Sequence, residues 1–264
     1  MSPLLSASDI VFRLRSAGCV FAEDETRLLM SAASSPDELA AMVDRRVAGL
    51  PLEHVLGWAE FCGLRVAVDP GVFVPRPRTE FLIGEAVALA RRLPGRPVAV
   101  DLCCGTGAMG LALSAALPGG AEVHATDLDP AAVRCARRNL APIGGHVYAG
   151  DLYDPLPPEL RGRVDVLIAS PPYVPTEAIG LLPPEARVHE PRVALDGGAD
   201  GLDILRRVVE QAPLWLAPGG HLLVETSRAQ AAQAVAAVTA AGLSPRAAVS
   251  DEFDATAVIG TRHP

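Results

Sequence analysis

One junction constrains the fold more than any other part of the chain. Residues 97–101 form a short apolar run that passes through Leu102, Cys103 and Cys104 into Gly105-Thr106-Gly107-Ala108-Met109-Gly110, a literal G-x-G-x-x-G. Glycines at a strand-to-helix turn let the backbone bend tightly and let a ligand come closer than a side chain permits. Residues 106–117 read as the helix that follows. Strand, glycine turn and helix in that order predict a βα unit of a parallel sheet. By itself the turn is also compatible with a packing turn that holds no ligand.

The rhythm continues along the chain. Strands expected at 122–126, 147–149, 164–169 and 220–225 alternate with helices at 130–140, 204–216 and 229–241. Pro130 sits in the first helical turn behind Asp129, which reads as its N-cap. Two closing strands, 245–249 and 255–260, have no helix between them and are expected to pair antiparallel. Strands apolar on both faces and separated by helices predict an α/β fold with a parallel sheet covered on both sides. Upstream, residues 7–50 read as helices, with a cap at Ser8 and Asp9, an apolar series opened by Ile10, Phe12 and Leu14, and a restart at Ser35-Pro36-Asp37. A further helix is expected over 79–92. The 264 residues suit one core domain with a smaller appendage. The division expected is a helical domain over 1–50, a linker with a short β-hairpin over 51–78, and the α/β domain over 79–264.

Composition removes several classes of function. All 23 basic residues are arginine, which excludes a Schiff-base lysine and the lysine of a phosphate-binding loop. No window holds the roughly 18 apolar residues of a membrane span, and no secretory leader is visible at the N-terminus. The five cysteines and six histidines show no metal spacing, so no metal is expected. Adjacent Cys103 and Cys104 suit a reduced, cytoplasmic protein. A net charge of -8 argues against direct binding to nucleic acid, whose phosphates favour basic surfaces. Arg137-Arg138 and Arg206-Arg207 read as solvated helix faces, and a monomer is expected.

Two further features carry chemistry. Asp127 ends the second strand, about 20 residues beyond the first glycine, where a carboxylate can accept from both ribose hydroxyls of a nucleoside. That arrangement serves dinucleotides and S-adenosylmethionine alike. After the third strand, Asp151 is placed either beside an adenine amino group or as a loop cap. The fourth strand runs into Ser170-Pro171-Pro172-Tyr173. Consecutive prolines stiffen the backbone and remove competing amide donors. One side-chain oxygen and one backbone carbonyl can then hold both hydrogens of a planar NH2 group, with the Tyr173 ring packed against it. An amide nitrogen is a poor nucleophile because its lone pair is delocalised. Holding both N–H bonds aims it at a sulfonium methyl, which is catalysis by positioning and electrostatics. A nicotinamide dehydrogenase leaves this turn unexplained. An amino-methyltransferase on a nucleic-acid base, and a cofactor-binding module without activity, share it. His189 and Glu190 read as bystanders, residues 196–201 as a turn, and Trp58 and Phe61 as packing between domains.

These residues resemble the amino-methyltransferases with an [Asn/Asp/Ser]-Pro-Pro-[Tyr/Phe/Trp] motif and, more closely, the release-factor glutamine methyltransferase family (PrmC/HemK). The resemblance spans Pro51-Leu52-Glu53-His54-Val55-Leu56-Gly57, the run from Val72 to Glu80, Glu190 to Leu202, and Leu216 to Glu225. It implies a seven-stranded Rossmann-like class I methyltransferase fold with a small N-terminal helical domain that binds the protein substrate, a class-1 peptide chain release factor. It implies S-adenosylmethionine as cofactor, held by Cys103, Cys104, Gly105, Thr106, Gly107, Asp127, Leu128, Asp151, Leu152 and Ser170. It implies acceptor contacts at Ser170, Pro171, Pro172 and Tyr173, with Ser170, Pro171 and Tyr173 catalytic, and N5-methylglutamine as product. The family typically has Asn where Ser170 stands, Glu where Arg78 stands and a large aromatic where Leu152 stands.

Overall fold

A computed structural model describes residues 5–263; residues 1–4 and 264, which the expected domain bounds include, lie outside the described residues. The chain opens with α1 (Ala7–Ser16), α2 (Ala22–Ala32) and α3 (Pro36–Val47). The cap of α1 is Ser6, not Ser8 and Asp9: Ser6 Oγ accepts from the Asp9 amide at 3.2 Å and the Asp9 carboxylate accepts from the Ser6 amide at 3.1 Å. Reciprocal bonding needs the three-residue spacing that only Ser6 has to Asp9. Phe12 leaves the expected apolar series and is 73% exposed, while Ile10 and Leu14, one turn apart, point inward. They join Ala22, Leu29, Met42 and Val43 in a hydrophobic cluster of their own, closed by Val55 from α4 (Leu52–Leu56). Ser35 caps α3 as expected, with Pro36 in the first turn.

A hairpin of β1 (Trp58–Phe61) and β2 (Leu64–Ala67) follows, paired antiparallel. Next come α5 (Glu80–Ala90), β3 (Val98–Leu102), α6 (Ala108–Ala115), β4 (Glu122–Asp127), α7 (Pro130–Leu140), β5 (His146–Ala149) and β6 (Val164–Ala169). The chain ends with α8 (Pro184–His189), α9 (Asp203–Trp215), β7 (Leu216–Thr226), α10 (Ala231–Ala240), β8 (Ser244–Ser250) and β9 (Ala255–Thr261). The seven-stranded sheet has the order β5-β4-β3-β6-β7-β9-β8, parallel except where β9 runs antiparallel to β7 and β8. This is the expected seven-stranded Rossmann-like sheet.

Alternating side chains divide the core in two. Ala99 joins α5, α6 and α7 residues such as Leu82, Leu113 and Leu140 on one face. Val98 and Val100 join Leu205 and Val208 of α9 and Val238 of α10 on the other. Successive residues of a strand point to opposite faces, so a strand buried twice must be apolar throughout. The expectation that every strand is so covered is corrected at the two edge strands: β5 is exposed or half-buried throughout, and β8 at every residue but Ala248. The helix expected from Thr106 begins only at Ala108, because Gly107 at φ 77° is left-handed. Among the described residues no helix is long and apolar enough to cross a membrane.

The strand order fixes where a ligand can sit. From β3 the chain moves outward to β5 and then returns to place β6 on the other side of β3. Connections leave in opposite directions there, opening a crevice at the carboxyl ends of the strands.

Candidate active site

That crevice is a cavity of about 470 Å³, within the range of about 300–1,000 Å³ usual for small-molecule sites. The strand ends deliver its walls in sequence order. Cys103, Cys104, Gly105 and Thr106 follow β3; Asp127 ends β4 and Leu128 follows it; Asp151 and Leu152 follow β5; and Ser170, Pro171, Pro172 and Tyr173 follow β6. Gly107 alone of the expected residues does not line it. A Cβ on Gly107 would stand 3.2 Å from Ala136 Cβ and from Leu140, so this glycine seats α6 against α7. Gly105, at φ 55°, faces open space. Cys103 at φ 55° and Leu152 at φ 47° hold left-handed backbone without being glycine, a strain of order 1–3 kcal/mol each that clusters at functional sites.

Asp127 is fixed by the loop it faces. Its Oδ2 accepts from the Gly105 amide at 2.7 Å and its Oδ1 from the Asp129 amide at 2.9 Å. Burial raises its pKa and those two backbone donors oppose the rise. A carboxylate offers about four lone-pair sites, so two remain for donors from the cavity. Asp129 caps α7 through the Ala131 amide at 2.8 Å, as expected. Asp151 pairs with Arg207 at 2.6 Å. Its carboxylate is thereby committed to an arginine on α9 rather than to a loop amide, and Arg207 is a wall of the cavity rather than a solvated face. Arg206 pairs with Asp200, and Arg138 with Asp69. Among the described residues no group of three or more His, Cys, Asp or Glu side chains could hold a metal ion.

Behind the turn at 170–173 lies a residue the sequence reading passed over. Glu225, near the end of β7, has a side chain only 5% exposed. Its Oε2 accepts from Thr79 Oγ1 at 2.6 Å and from Ser170 Oγ at 3.2 Å. Its Oε1 accepts from the Tyr173 hydroxyl at 3.5 Å and lies 3.7 Å from Arg78 Nε. Burial, then the charge of Glu225, push the Tyr173 hydroxyl up to about 12, so tyrosine serves as a donor and not as a base. The turn is buttressed on its outer side by residues 197–201. A Cβ on Gly197 would stand 2.6 Å from the Pro172 carbonyl oxygen, and one on Gly201 2.2 Å from that of Tyr173. Gln230 Nε2 donates to the Tyr173 carbonyl at 2.9 Å.

Glu190, read as a bystander to the chemistry, lines the cavity and ties two segments together. Its buried carboxylate takes two bonds from Arg76, at 2.7 and 2.6 Å, and one from the Val74 amide at 3.1 Å. Burial raises its pKa while Arg76 works against the rise. His189 ends α8 without lining the cavity. Phe61 packs fully buried in the cluster that also holds Leu82 and Ile83 of α5, and Trp58 lies beneath the Arg65 guanidinium, 4.0 Å from its ring centre.

The sequence pattern of the Methyltransferase small domain family matches residues 63–182. A release factor glutamine methyltransferase of Geobacter sulfurreducens is 39% identical over 233 residues, covering 86% of this chain and 80% of the relative. The chain belongs to the release factor glutamine methyltransferase family. It is an enzyme of the methyltransferase class, and its cofactor is S-adenosylmethionine. A relative in Streptomyces pristinaespiralis, named 4-amino-L-phenylalanine/4-methylamino-L-phenylalanine methyltransferase, is 41% identical over 206 residues, or 76% of this chain and 69% of that one. Among solved structures, the T. thermophilus 16S rRNA N2 G1207 methyltransferase, in complex with AdoMet and guanosine, matches with a TM-score of 0.55. It is 21% identical and the match covers 78% of this chain and 50% of that one, a likeness of fold. Two positions that differ from the usual pattern of the release factor glutamine methyltransferase family, Ser170 and Arg78, meet on the same Glu225 carboxylate.

Proposed function

We propose that this protein methylates the side-chain amide nitrogen of a glutamine in a class-1 peptide chain release factor. The observation that carries the reading is the rigid Ser170-Pro171-Pro172-Tyr173 turn on the wall of a cavity that Asp127 and the glycine loop also line. When bound, S-adenosylmethionine supplies an electrophilic methyl group on a sulfonium sulfur; one C–S bond breaks, one N–C bond forms, and one amide proton is released to solvent. Asp127 would accept from the ribose hydroxyls with the lone pairs its two backbone donors leave. Gly105 would let the amino-acid end of the cofactor approach the backbone, Leu128 and Leu152 would offer apolar walls to its base, and Asp151 with Arg207 would close the far edge. Cys103, Cys104 and Thr106 complete that wall.

Ser170 Oγ and the Pro171 carbonyl hold the two amide hydrogens, and Pro172 keeps the carbonyl from turning away. The Tyr173 ring lies against the amide plane. Fixing both hydrogens favours pyramidal nitrogen and removes the need for a strong base, as a hydroxyl at about 12 on Tyr173 requires. Residues 1–50 are assigned to contact with the protein substrate; α1 to α3 pack with Val55 of α4 in a hydrophobic cluster of their own. Residues 51–78 join residues 1–50 to the domain over 79–264.

Incubation with isotope-labelled S-adenosylmethionine and a purified bacterial class-1 release factor tests this. Mass spectrometry should find one methyl group on the glutamine of the Gly-Gly-Gln loop, and Asp127→Ala should abolish it together with binding of S-adenosylhomocysteine. Methylation elsewhere in the release factor, or none, overturns the reading. A second reading, methylation of an aromatic amine on a small molecule, is favoured by the relative from Streptomyces pristinaespiralis. 4-Amino-L-phenylalanine offered in place of the release factor separates the two.

A further inference from the structure

Serine is an unusual choice for the residue that must accept from the substrate's NH2 group. A hydroxyl has one hydrogen and two lone pairs and rotates freely. If its hydrogen faces the acceptor nitrogen, it repels the N–H it should hold. Asparagine, the usual residue of the family here, has an acceptor-only oxygen and no such ambiguity. The geometry removes the ambiguity for serine. Ser170 Oγ lies 3.2 Å from Glu225 Oε2, and a carboxylate only accepts. The hydrogen between them therefore belongs to Ser170, and both serine lone pairs are turned away from Glu225.

We propose that Glu225 is a positioning residue that takes the Ser170 hydroxyl hydrogen, so that Ser170 presents lone pairs to the acceptor nitrogen. The surroundings suit that role. Glu225 is buried and gathers three hydroxyls, those of Thr79, Ser170 and Tyr173. Thr79, at 2.6 Å, holds the carboxylate in place. Arg78 stands 3.7 Å away and its guanidinium carbon lies 5.8 Å from the Tyr173 ring centre, giving the carboxylate a cation on its open side. The Ser170 contact is longer than the O–H···O mode of about 2.7 Å, as catalytic hydrogen bonds often are before substrate binds. It orients the hydroxyl without locking it.

The inference rests on the methyl-transfer reading of the turn, and its test is a cycle between Glu225→Gln and Ser170→Asn. Glutamine keeps the size of Glu225 but can no longer offer acceptor-only oxygens to three hydroxyls. With a bacterial class-1 release factor, or 4-amino-L-phenylalanine if that is the acceptor methylated, Glu225→Gln should lower kcat about tenfold, the equivalent of one oriented hydrogen bond. The Kd for S-adenosylhomocysteine, measured by calorimetry, should be unchanged, which also shows that the variant folds. In the Ser170→Asn background the same change should cost no more than about twofold, because asparagine needs no orienting partner. Equal losses in the two backgrounds, or a loss of S-adenosylhomocysteine binding, would show that Glu225 acts structurally and would overturn the proposal. Wild-type protein that methylates neither acceptor overturns the parent reading, and this inference with it.

Discussion

Asp101 is a carboxylate with no exposure at all, at the foot of the glycine loop. Its Oδ2 accepts from the Gly110 amide at 2.9 Å, and its Oδ1 has no partner among the described residues. Desolvation raises its pKa from an ordinary 3.8 to about 7, with Gly110 opposing and Asp127 adding to the rise. Between those two values the folded chain holds a proton that the unfolded chain has released, so Asp101's contribution to stability falls as pH rises. Asp101→Asn cannot titrate. Urea unfolding from pH about 4 to about 8 should show the variant gaining on wild type by an amount on the order of a few kcal/mol, and then levelling. Parallel curves would contradict the assignment. The residues of the site divide by how locally they are specified. Ser170 to Tyr173 were legible because four consecutive residues carry the chemistry, and Asp127 because it ends a strand at a known distance from the glycines. Glu225 was not: Thr79, Ser170 and Tyr173 reach it from distant parts of the chain, and its own neighbours, Leu222 to Val224, read only as a buried strand. Asp151 and Arg207, 56 residues apart, escaped notice as a pair for the same reason.

At the scale of elements, periodicity located β6 and α7 to the residue and most other strands to within one or two. What it missed were short pieces whose order comes from packing: α4 and α8 are each six residues or fewer, too short to show a repeat. The three glycines after β3 look alike in sequence and do different work. Gly105 opens the wall, Gly107 provides a left-handed cap, and Gly110 lets α6 lie on the sheet. A Cβ on Gly110 would stand 2.9 Å from Val123 Cγ1 and 3.3 Å from Asp101 Oδ2. Val123 is stiff and buried, so Gly110→Ala should destabilise by about 1–3 kcal/mol through overpacking, despite alanine's better helix propensity. Gly84, in the middle of α5, is the contrast. It has ordinary helical φ, and a Cβ there meets nothing within 4 Å. Gly84→Ala should therefore stabilise by about 0.5–1 kcal/mol. Denaturant midpoints for the two variants should shift in opposite directions; shifts of the same sign would mean that helix propensity, and not fit against β4, governs α6.

Over the whole molecule, the cavity is walled on one side by a segment that owes its place to residues far earlier in the chain. Arg46, almost fully buried, takes Glu25 through two bonds at 2.6 and 3.0 Å, donates to the Leu50 carbonyl at 3.0 Å and reaches Glu185 on α8. Beyond α8, Glu190 holds Arg76 and the Val74 amide. The N-terminal helices and the linker are thus tied to α8 and its exit at two points, and Pro183, Glu185, Ala186 and Glu190 all line the cavity. Ion pairs at the surface contribute little, but removing one partner of a buried pair leaves the other without compensation. The side chain of Glu190 is 1% exposed and that of Arg76 31%, which places this pair nearer the buried case. Glu190→Gln keeps an acceptor for the Val74 amide and loses the charge that Arg76 needs, so stability should fall by about 1–3 kcal/mol. The decisive readout is spatial. Hydrogen exchange should quicken together in residues 72–78 and 184–195, while the amides of Gly105 and Gly110, held by Asp127 and Asp101, keep their protection. Local opening of this kind is how binding walls move while the sheet beneath stays fixed. Quickening confined to one of the two segments would mean that they are neighbours without being coupled, and that the linker and the wall behind the acceptor site move independently.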